Sequence, residues 1–235
     1  MTLEFSDLGF APDYVDYRQA WHRQRELHDA VVARTAPDTI LLLEHASVYT
    51  AGKRTEAHER PFDGTPVVDV DRGGKLTWHG PGQLVGYPII RLRDPHAIRE
   101  YVTILEDVLI ATLAEYGVTG ERVEGRAGIW LRADTTENDS LKSQDRKIAS
   151  IGIRVHNGVA MHGFALNCNN DLAPFAQIIA CGISDAGATT ISRETGRDVS
   201  PAEAAAVVRR EVALREAELI GHAAADQTLP EGALS

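Results

Sequence analysis

The residues of this 235-residue chain best suited to covalent chemistry are two cysteines, Cys168 and Cys181, and a lysine, Lys147, at the head of an apolar run. Cys181 stands in Ile178-Ile179-Ala180-Cys181-Gly182-Ile183, and Lys147 opens Lys147-Ile148-Ala149-Ser150-Ile151-Gly152. Each alone has a bland reading: a cysteine in apolar context is normally inert core, and a lysine at a strand end is normally solvated. As a pair they suggest more. A cysteine attacks as its thiolate, which a nearby amine supplies by taking the proton or stabilising the charge. A lysine desolvated by an apolar pocket can serve as such a base near neutral pH. Gly182 would leave room for a substrate carbonyl, and exposed backbone N–H groups could hold the oxyanion of a tetrahedral intermediate. Cys168 reads as a small packing residue.

Two further islands carry donors among glycines. In Arg72-Gly73-Gly74-Lys75-Leu76-Thr77-Trp78-His79-Gly80-Pro81-Gly82-Gln83 the glycines permit close backbone approach to a ligand, and Arg72, Lys75 and His79 offer donors. A pair of tight turns around a strand explains the same spacing equally well. The segment lacks the order of a phosphate loop or a dinucleotide fingerprint, so nucleotide binding is not indicated. The second island is Met161-His162-Gly163-Phe164-Ala165-Leu166-Asn167, where a lone strand histidine is more often structural than catalytic. A zinc site from His79, His162, Cys168 and Cys181 lacks any close-spaced ligand pair, and no metal is expected.

The elements that must position these groups are legible in the patterning. Tyr17, Trp21, Gln24, His28 and Val31 mark a helix over about Tyr14 to Arg34, started by Pro12-Asp13. Thr39 to Leu43, Val67 to Val70 and Leu84 to Ile90 read as strands, the last with Pro88 at an edge or bulge. Asp94 and Pro95 are expected to open a second helix whose stripe is Ile98, Val102, Leu105, Leu109 and Leu113. Gly128 to Leu131 predicts a strand, and the polar run within Ala133 to Asp145 a mobile surface loop that could touch a partner. Lys147 to Val155 and Val159 to Asn167 form a hairpin around Asn157-Gly158, which tolerates the positive φ of a tight turn. Ser200 and Glu203 predict a capping box for a last helix running to Leu219, and the tail after Gly221 reads as frayed.

Composition sets the outer limits. Hydrophobic residues at 43% and charged residues at 25% are those of a globular chain, and a net charge of −10 argues against general affinity for nucleic acid or anionic lipid. No apolar run is long enough to span a membrane, and the N-terminus lacks signal-peptide order, so a cytoplasmic protein is expected. Two cysteines are too few for a disulfide scaffold.

With these islands in hand, the chain from roughly Leu41 to Thr190 resembles the lipoyl(octanoyl) transferases of the biotin/lipoate protein ligase superfamily. RGGKLTWHGPGQLVGYPI looks like that family's signature segment, KIASIGIRV like its catalytic-lysine strand, HGFALN like its acyl-pocket strand and ACGI like its nucleophile motif. The resemblance implies a single α+β domain over 1–220, with mixed, mostly antiparallel sheets flanked by helices, and a tail over 221–235. It implies that Cys181 is an acyl-thioester nucleophile and that Lys147 lowers its pKa and shuttles protons. Arg72, Gly73, Gly74, Lys75, Leu76, Thr77, Trp78, His79, Ser150, Ile151, Gly152, His162, Gly163, Phe164 and Ala165 would bind substrate. Ala180 stands where the family usually has proline, which removes a fixed φ but no reacting group.

The implied reaction is ping-pong transfer of octanoyl from octanoyl-acyl carrier protein to a lysine of a lipoyl domain. Acceptors would be 2-oxoacid dehydrogenase E2 subunits and the glycine cleavage H protein. The thioester carries its own activation, so no cofactor and no ATP is needed. Because carrier proteins of the family are acidic and this chain is too, docking would need a local basic patch, with Lys53, Arg54, Arg72, Lys75 and Arg146 as candidates. An ATP-dependent lipoate or biotin ligase and a non-catalytic lipoyl-domain binding module are the competing readings. Adenylate formation would reveal the first, and an unreactive Cys181 the second.

Overall fold

The computed structural model describes residues 3–61, 65–134, 143–178 and 186–220. Cys181, with Ile179, Ala180, Gly182 and Ile183, lies outside the described residues, as do 135–142 of the expected loop and the tail 221–235.

In chain order the described elements are β1 (Glu4–Gly9), α1 (Tyr17–Val32), β2 (Thr39–Leu43), β3 (Val48–Ala51), β4 (Val67–Asp69), β5 (Leu76–His79), β6 (Gln83–Ile89) and α2 (Ile98–Ala114). Then come β7 (Glu121–Val123), β8 (Arg126–Leu131), β9 (Arg146–His156), β10 (Val159–Asn167), α3 (Ala173–Ala176), β11 (Gly187–Ala188), α4 (Ile191–Thr195), α5 (Pro201–Ala213) and α6 (Glu216–Leu219). The large sheet has the order β1-β2-β6-β10-β9-β8-β7, with β11 added beside β9, and a small sheet has the order β4-β3-β5. Among the described strands, only the β1–β2, β9–β11 and β3–β4 pairs are parallel. This is the mixed, mostly antiparallel α+β architecture that the sequence implied.

The sheet separates two apolar cores, as the period-2 alternation of strand side chains dictates. Ile40, Leu42, Leu84, Phe164 and Leu166 face α2 and α5, while Leu41, Leu43, Val85, Met161 and Ala165 face α1. The β9–β10 hairpin turns where expected, with Asn157 at φ 50° and Gly158 at φ 74°. Its register sets Gly163 opposite Gly152, Phe164 opposite Ile151 and Ala165 opposite Ser150. A Cβ on Gly163 would lie 2.2 Å from the Gly86 carbonyl oxygen, so only glycine lets β10 approach β6 this closely.

Several expectations shift in detail. α1 starts at Tyr17, capped by the Asp16 carboxylate accepting from Gln19 N–H, because Pro12 and Asp13 belong to a separate turn closed by Asp13 N–H on Phe10 O. Asp94 caps no helix: it accepts from His96 N–H in a preceding turn, and α2 begins only at Ile98, leaving Ile98 exposed. Pro88 does not sit on an edge strand, since β6 lies between β2 and β10, but it stands where β6 and β10 part after the Gly86–Phe164 pair. Ser200 caps α5 as expected. The Glu203 carboxylate, however, takes Arg197 rather than closing a capping box, and the last helix breaks at Leu214-Arg215. The edges β1 and β7 and the short β3 and β11 were not read from the sequence: each is too short, or too polar on one side, to show a period.

Candidate active site

Lys147 sits second in β9, paired with Trp130 on β8 and with Ala188 on β11. Its Nζ lies 5.0 Å from the centroid of the Trp130 ring, within cation–π range. Gly128 makes the route possible. It holds φ +107°, and a Cβ there would stand 2.2 Å from the Ala149 carbonyl oxygen and 2.8 Å from Lys147 Cε. The Gly128 N–H is anchored by the buried Glu106 carboxylate at 3.0 Å.

Two cavities meet at this lysine, sharing Thr77, Lys147 and Ser150. The first, of about 330 Å³, runs over Ser150, Ile151 and Gly152 on β9 and His162, Gly163, Phe164 and Ala165 on β10, roofed by Arg72, Gly74, Lys75 and Thr77. That volume is within the range of small-ligand pockets. The second, of about 260 Å³, is bounded by Trp130, Asn167, Phe175, Ile178, Ala186 and Arg193 among others. Ile178 and Ala186, the described residues on either side of 179–185, line this cavity together with Lys147. Asn167 at the end of β10 holds Thr189 in place: its Nδ2 donates to Thr189 O at 3.0 Å and its Oδ1 accepts from Gln83 Nε2 at 3.0 Å.

The residues expected to bind substrate divide by strand face. On β5, Thr77 and His79 face the first cavity, whereas Leu76 and Trp78 point away into an apolar cluster with Tyr49; Trp78 Nε1 donates to Ser47 Oγ. Leu76 and Trp78 are therefore supports, and Gly73 is not among the lining residues either. Arg72 is buried, and its guanidinium donates to Thr50 O, Thr50 Oγ1, Gly73 O and Lys75 O, binding the β3 end and the glycine turn into one wall. Sequence reading missed Tyr17, Arg54, Tyr87 and Arg126, all of which line this cavity.

Part of the lining of the first cavity is polar and buried. His79 Nδ1 donates to Gln83 Oε1 at 2.8 Å, and burial, then the His45 and Arg72 charges, push its pKa down to about 3. His45 behind it donates from Nδ1 to Val15 O and accepts from the Tyr87 hydroxyl at 2.8 Å; burial lowers it to about 4. Burial raises Tyr17 to about 12. His162 donates from Nε2 to Asp71 Oδ1 at 2.8 Å, and Asp71 also pairs with Arg154. The hydrogen bond from His162, followed by the charges around it, holds Asp71 at about 2, while burial shifts His162 below its usual value despite that carboxylate. Cys168 is fully buried with its thiol pushed far up by desolvation, which agrees with a packing role.

The expected basic patch needs correction. Arg146 is buried in a bidentate pair with Glu194, Arg72 is buried among carbonyls, and Lys75 is paired with Glu59 at 2.6 Å and Glu56 at 3.4 Å. Charge-assisted pairing of this kind neutralises a cation locally. Of the five candidates, Lys53 and Arg54 stand exposed on the surface.

Comparison with known proteins gives a consistent picture. Residues 16–213 match the family model described as the lipoyl protein ligase A/B catalytic domain. The chain is 68% identical over 230 residues to an octanoyltransferase of Renibacterium salmoninarum, covering 98% of this chain and 96% of that one. It is 62% identical over 234 residues to an octanoyltransferase of Arthrobacter sp. strain FB24, covering all of both. Among solved structures, the lipoate protein ligase of an archaeal lipoylation system from Thermoplasma acidophilum superposes with a TM-score of 0.65 at 14% identity, over 92% of this chain and 83% of that one. A lipoate-protein ligase A bound with ATP gives 0.59 at 14% identity, over 92% and 85%. At such identities the structural matches speak for the fold alone.

Proposed function

The chain belongs to the lipoyl protein ligase A/B catalytic domain family and is an acyltransferase, and on that premise we propose that it moves an octanoyl group from octanoyl-acyl carrier protein to lipoyl-domain lysines through a Cys181 thioester. The acceptors in this reading are 2-oxoacid dehydrogenase E2 subunits and the glycine cleavage H protein. The observation that carries it is the position of Lys147 at the junction of two cavities, one of them bounded by the described residues on either side of 179–185.

In the first half-reaction the Cys181 proton passes to Lys147 and the thiolate attacks the thioester carbonyl. Collapse of the tetrahedral intermediate breaks the carrier C–S bond, and the leaving thiolate takes the proton back from Lys147. In the second, the uncharged ε-amine of the acceptor lysine attacks the acyl-enzyme, the C–S bond to Cys181 breaks, and the amine's surplus proton returns to the sulfur. Thioester exchange is nearly balanced and amide formation is downhill, so the donor supplies the driving force. In this reading the acyl chain occupies the first cavity, over the face of the β9–β10 hairpin where Gly152 and Gly163 are paired. Intact-protein mass spectrometry after mixing with octanoyl-acyl carrier protein tests the reading. One octanoyl adduct should form and map to Cys181, and Lys147→Ala should form it roughly 10²–10⁴-fold more slowly, as when a general base is lost. An adduct on Cys168, or none on the unaltered protein, would refute the nucleophile assignment, and near-normal turnover of the lysine variant would remove Lys147 from the chemistry.

A further inference from the structure

The deep end of the first cavity carries a hydrogen-bonding atom that the transfer of a plain alkyl chain leaves unused. His162 is 2% exposed, lines the cavity, and its Nδ1 has no partner among the described residues. The ring is held firmly on its other side. Nε2 donates to Asp71, Asp71 is fixed by Arg154, and the His162 backbone N–H donates to Gln24 Oε1 of α1 at 3.0 Å. The backbone at His162 sits at φ 58°, a left-handed conformation uncommon outside glycine, and these contacts hold it there. Because the carboxylate of Asp71 can only accept, a neutral His162 must carry its proton on Nε2, and Nδ1 then presents a lone pair. A group that meets it must be a donor.

The hairpin register says what reaches it. Ser150, at the Lys147 junction, stands opposite Ala165, and His162 stands opposite Ile153, three residues further along. Three strand steps cover about 10 Å. An extended eight-carbon acyl chain spans on the order of 10 Å at ordinary bond lengths. A chain whose carbonyl lies beside Ser150 therefore brings its terminal carbon level with His162. The same cavity is lined by Tyr17, His79 and Tyr87, whose polar atoms stand beside the apolar Ile151, Phe164 and Ala165.

We propose that His162 Nδ1 forms a subsite for a hydrogen-bond donor on the terminal carbon, so that the enzyme also accepts medium-chain acyl thioesters bearing a terminal hydroxyl. The proposal rests on the octanoyl-transfer reading above. Asp71 is a positioning residue in it, acting through the tautomer it imposes. No new bond chemistry is involved: the terminal O–H donates to Nδ1 while the carbonyl end reacts as before.

The test compares three carrier-protein thioesters on the intact protein: octanoyl, nonanoyl and 8-hydroxyoctanoyl. The last two are close in size and differ by a terminal methyl against a hydroxyl. An apolar slot end would disfavour the hydroxyl by roughly 10–100-fold in kcat/KM, the usual consequence of burying it unpaired. With the subsite, 8-hydroxyoctanoyl should be used within about threefold of nonanoyl or better, and His162→Phe should lower that ratio at least tenfold, whatever it does to the absolute rates. A preference for nonanoyl of tenfold or more in the unaltered protein overturns the proposal, and so does an unchanged ratio in the variant. The ratio in the unaltered protein decides even if the variant fails to fold. Octanoyl transfer intact alongside a rejected hydroxyl would sink this inference alone, whereas absence of octanoyl transfer would sink the reading beneath it as well.

Discussion

Acidification between pH 7 and pH 5 should destabilise this protein well before its carboxylates titrate, because two histidines at the first cavity, His79 in its wall and His45 behind it, are buried in their neutral form. Burial holds His45 at about 4 and His79 at about 3, against 6.5 for the exposed side chain. The sign follows from proton counting. Below pH 6.5 the unfolded chain binds a proton at each imidazole while the folded chain does not, so the unfolded state gains, and the stability present above 6.5 is lost as pH falls toward 4 and then 3. At pH 5 the gap of 1.5 units from the unfolded value costs about 2 kcal/mol per histidine, or about 4 kcal/mol for the two, at roughly 1.4 kcal/mol per unit. That is a large share of the 5–15 kcal/mol typical of a folded domain. Urea unfolding followed by tryptophan fluorescence at pH 7.5, 6.0 and 5.0 measures it, and the midpoint should drop by roughly 1–2 M across the range. His79→Asn should remove about half of the pH dependence. A flat midpoint from pH 7.5 to 5.0 would mean that the two imidazoles are not buried in neutral form, and the hydrogen-bond pattern linking His45 to Tyr87 and His79 to Gln83 would have to be redrawn.

Two further outcomes follow from the geometry around Lys147. Gly128→Ala should lower the Lys147-dependent acylation rate by more than tenfold and reduce thermal stability, since the new Cβ meets the Ala149 carbonyl at 2.2 Å and the lysine stem at 2.8 Å; a variant with normal acylation kinetics would show that the lysine reaches the junction by another path. Ala165→Leu, which puts branched carbons opposite Ser150 where the reacting carbonyl lies, should slow acylation by butanoyl, octanoyl and dodecanoyl thioesters alike by roughly tenfold or more; normal kinetics with all three donors would show that the carbonyl end lies elsewhere.

The residue sequence by itself determined the local features. Asn157-Gly158 specifies its turn, because both residues tolerate positive φ. The apolar runs at Thr39–Leu43 and Leu84–Ile90 specify buried strands, and Ser200 specifies the cap of α5, because each signal is carried by residues close together in the chain. The four islands around Arg72, Lys147, His162 and Cys181 were legible for the same reason, and the first three converge on one cavity, whereas Cys181 lies outside the described residues. Tertiary structure alone decided which members of an island face inward: period-2 alternation splits Thr77 and His79 from Leu76 and Trp78, and the phase of that alternation is set by pairing with β3, not by the segment itself. It also decided that Arg72 and Arg146 are internal struts rather than a docking surface, since their partners Thr50 and Glu194 stand 22 and 48 positions away. Tyr17, His45 and Tyr87 gave no local signal for the same physical reason. A buried polar group is made tolerable by the hydrogen bond it finds, and for these residues that partner comes from another element of the fold.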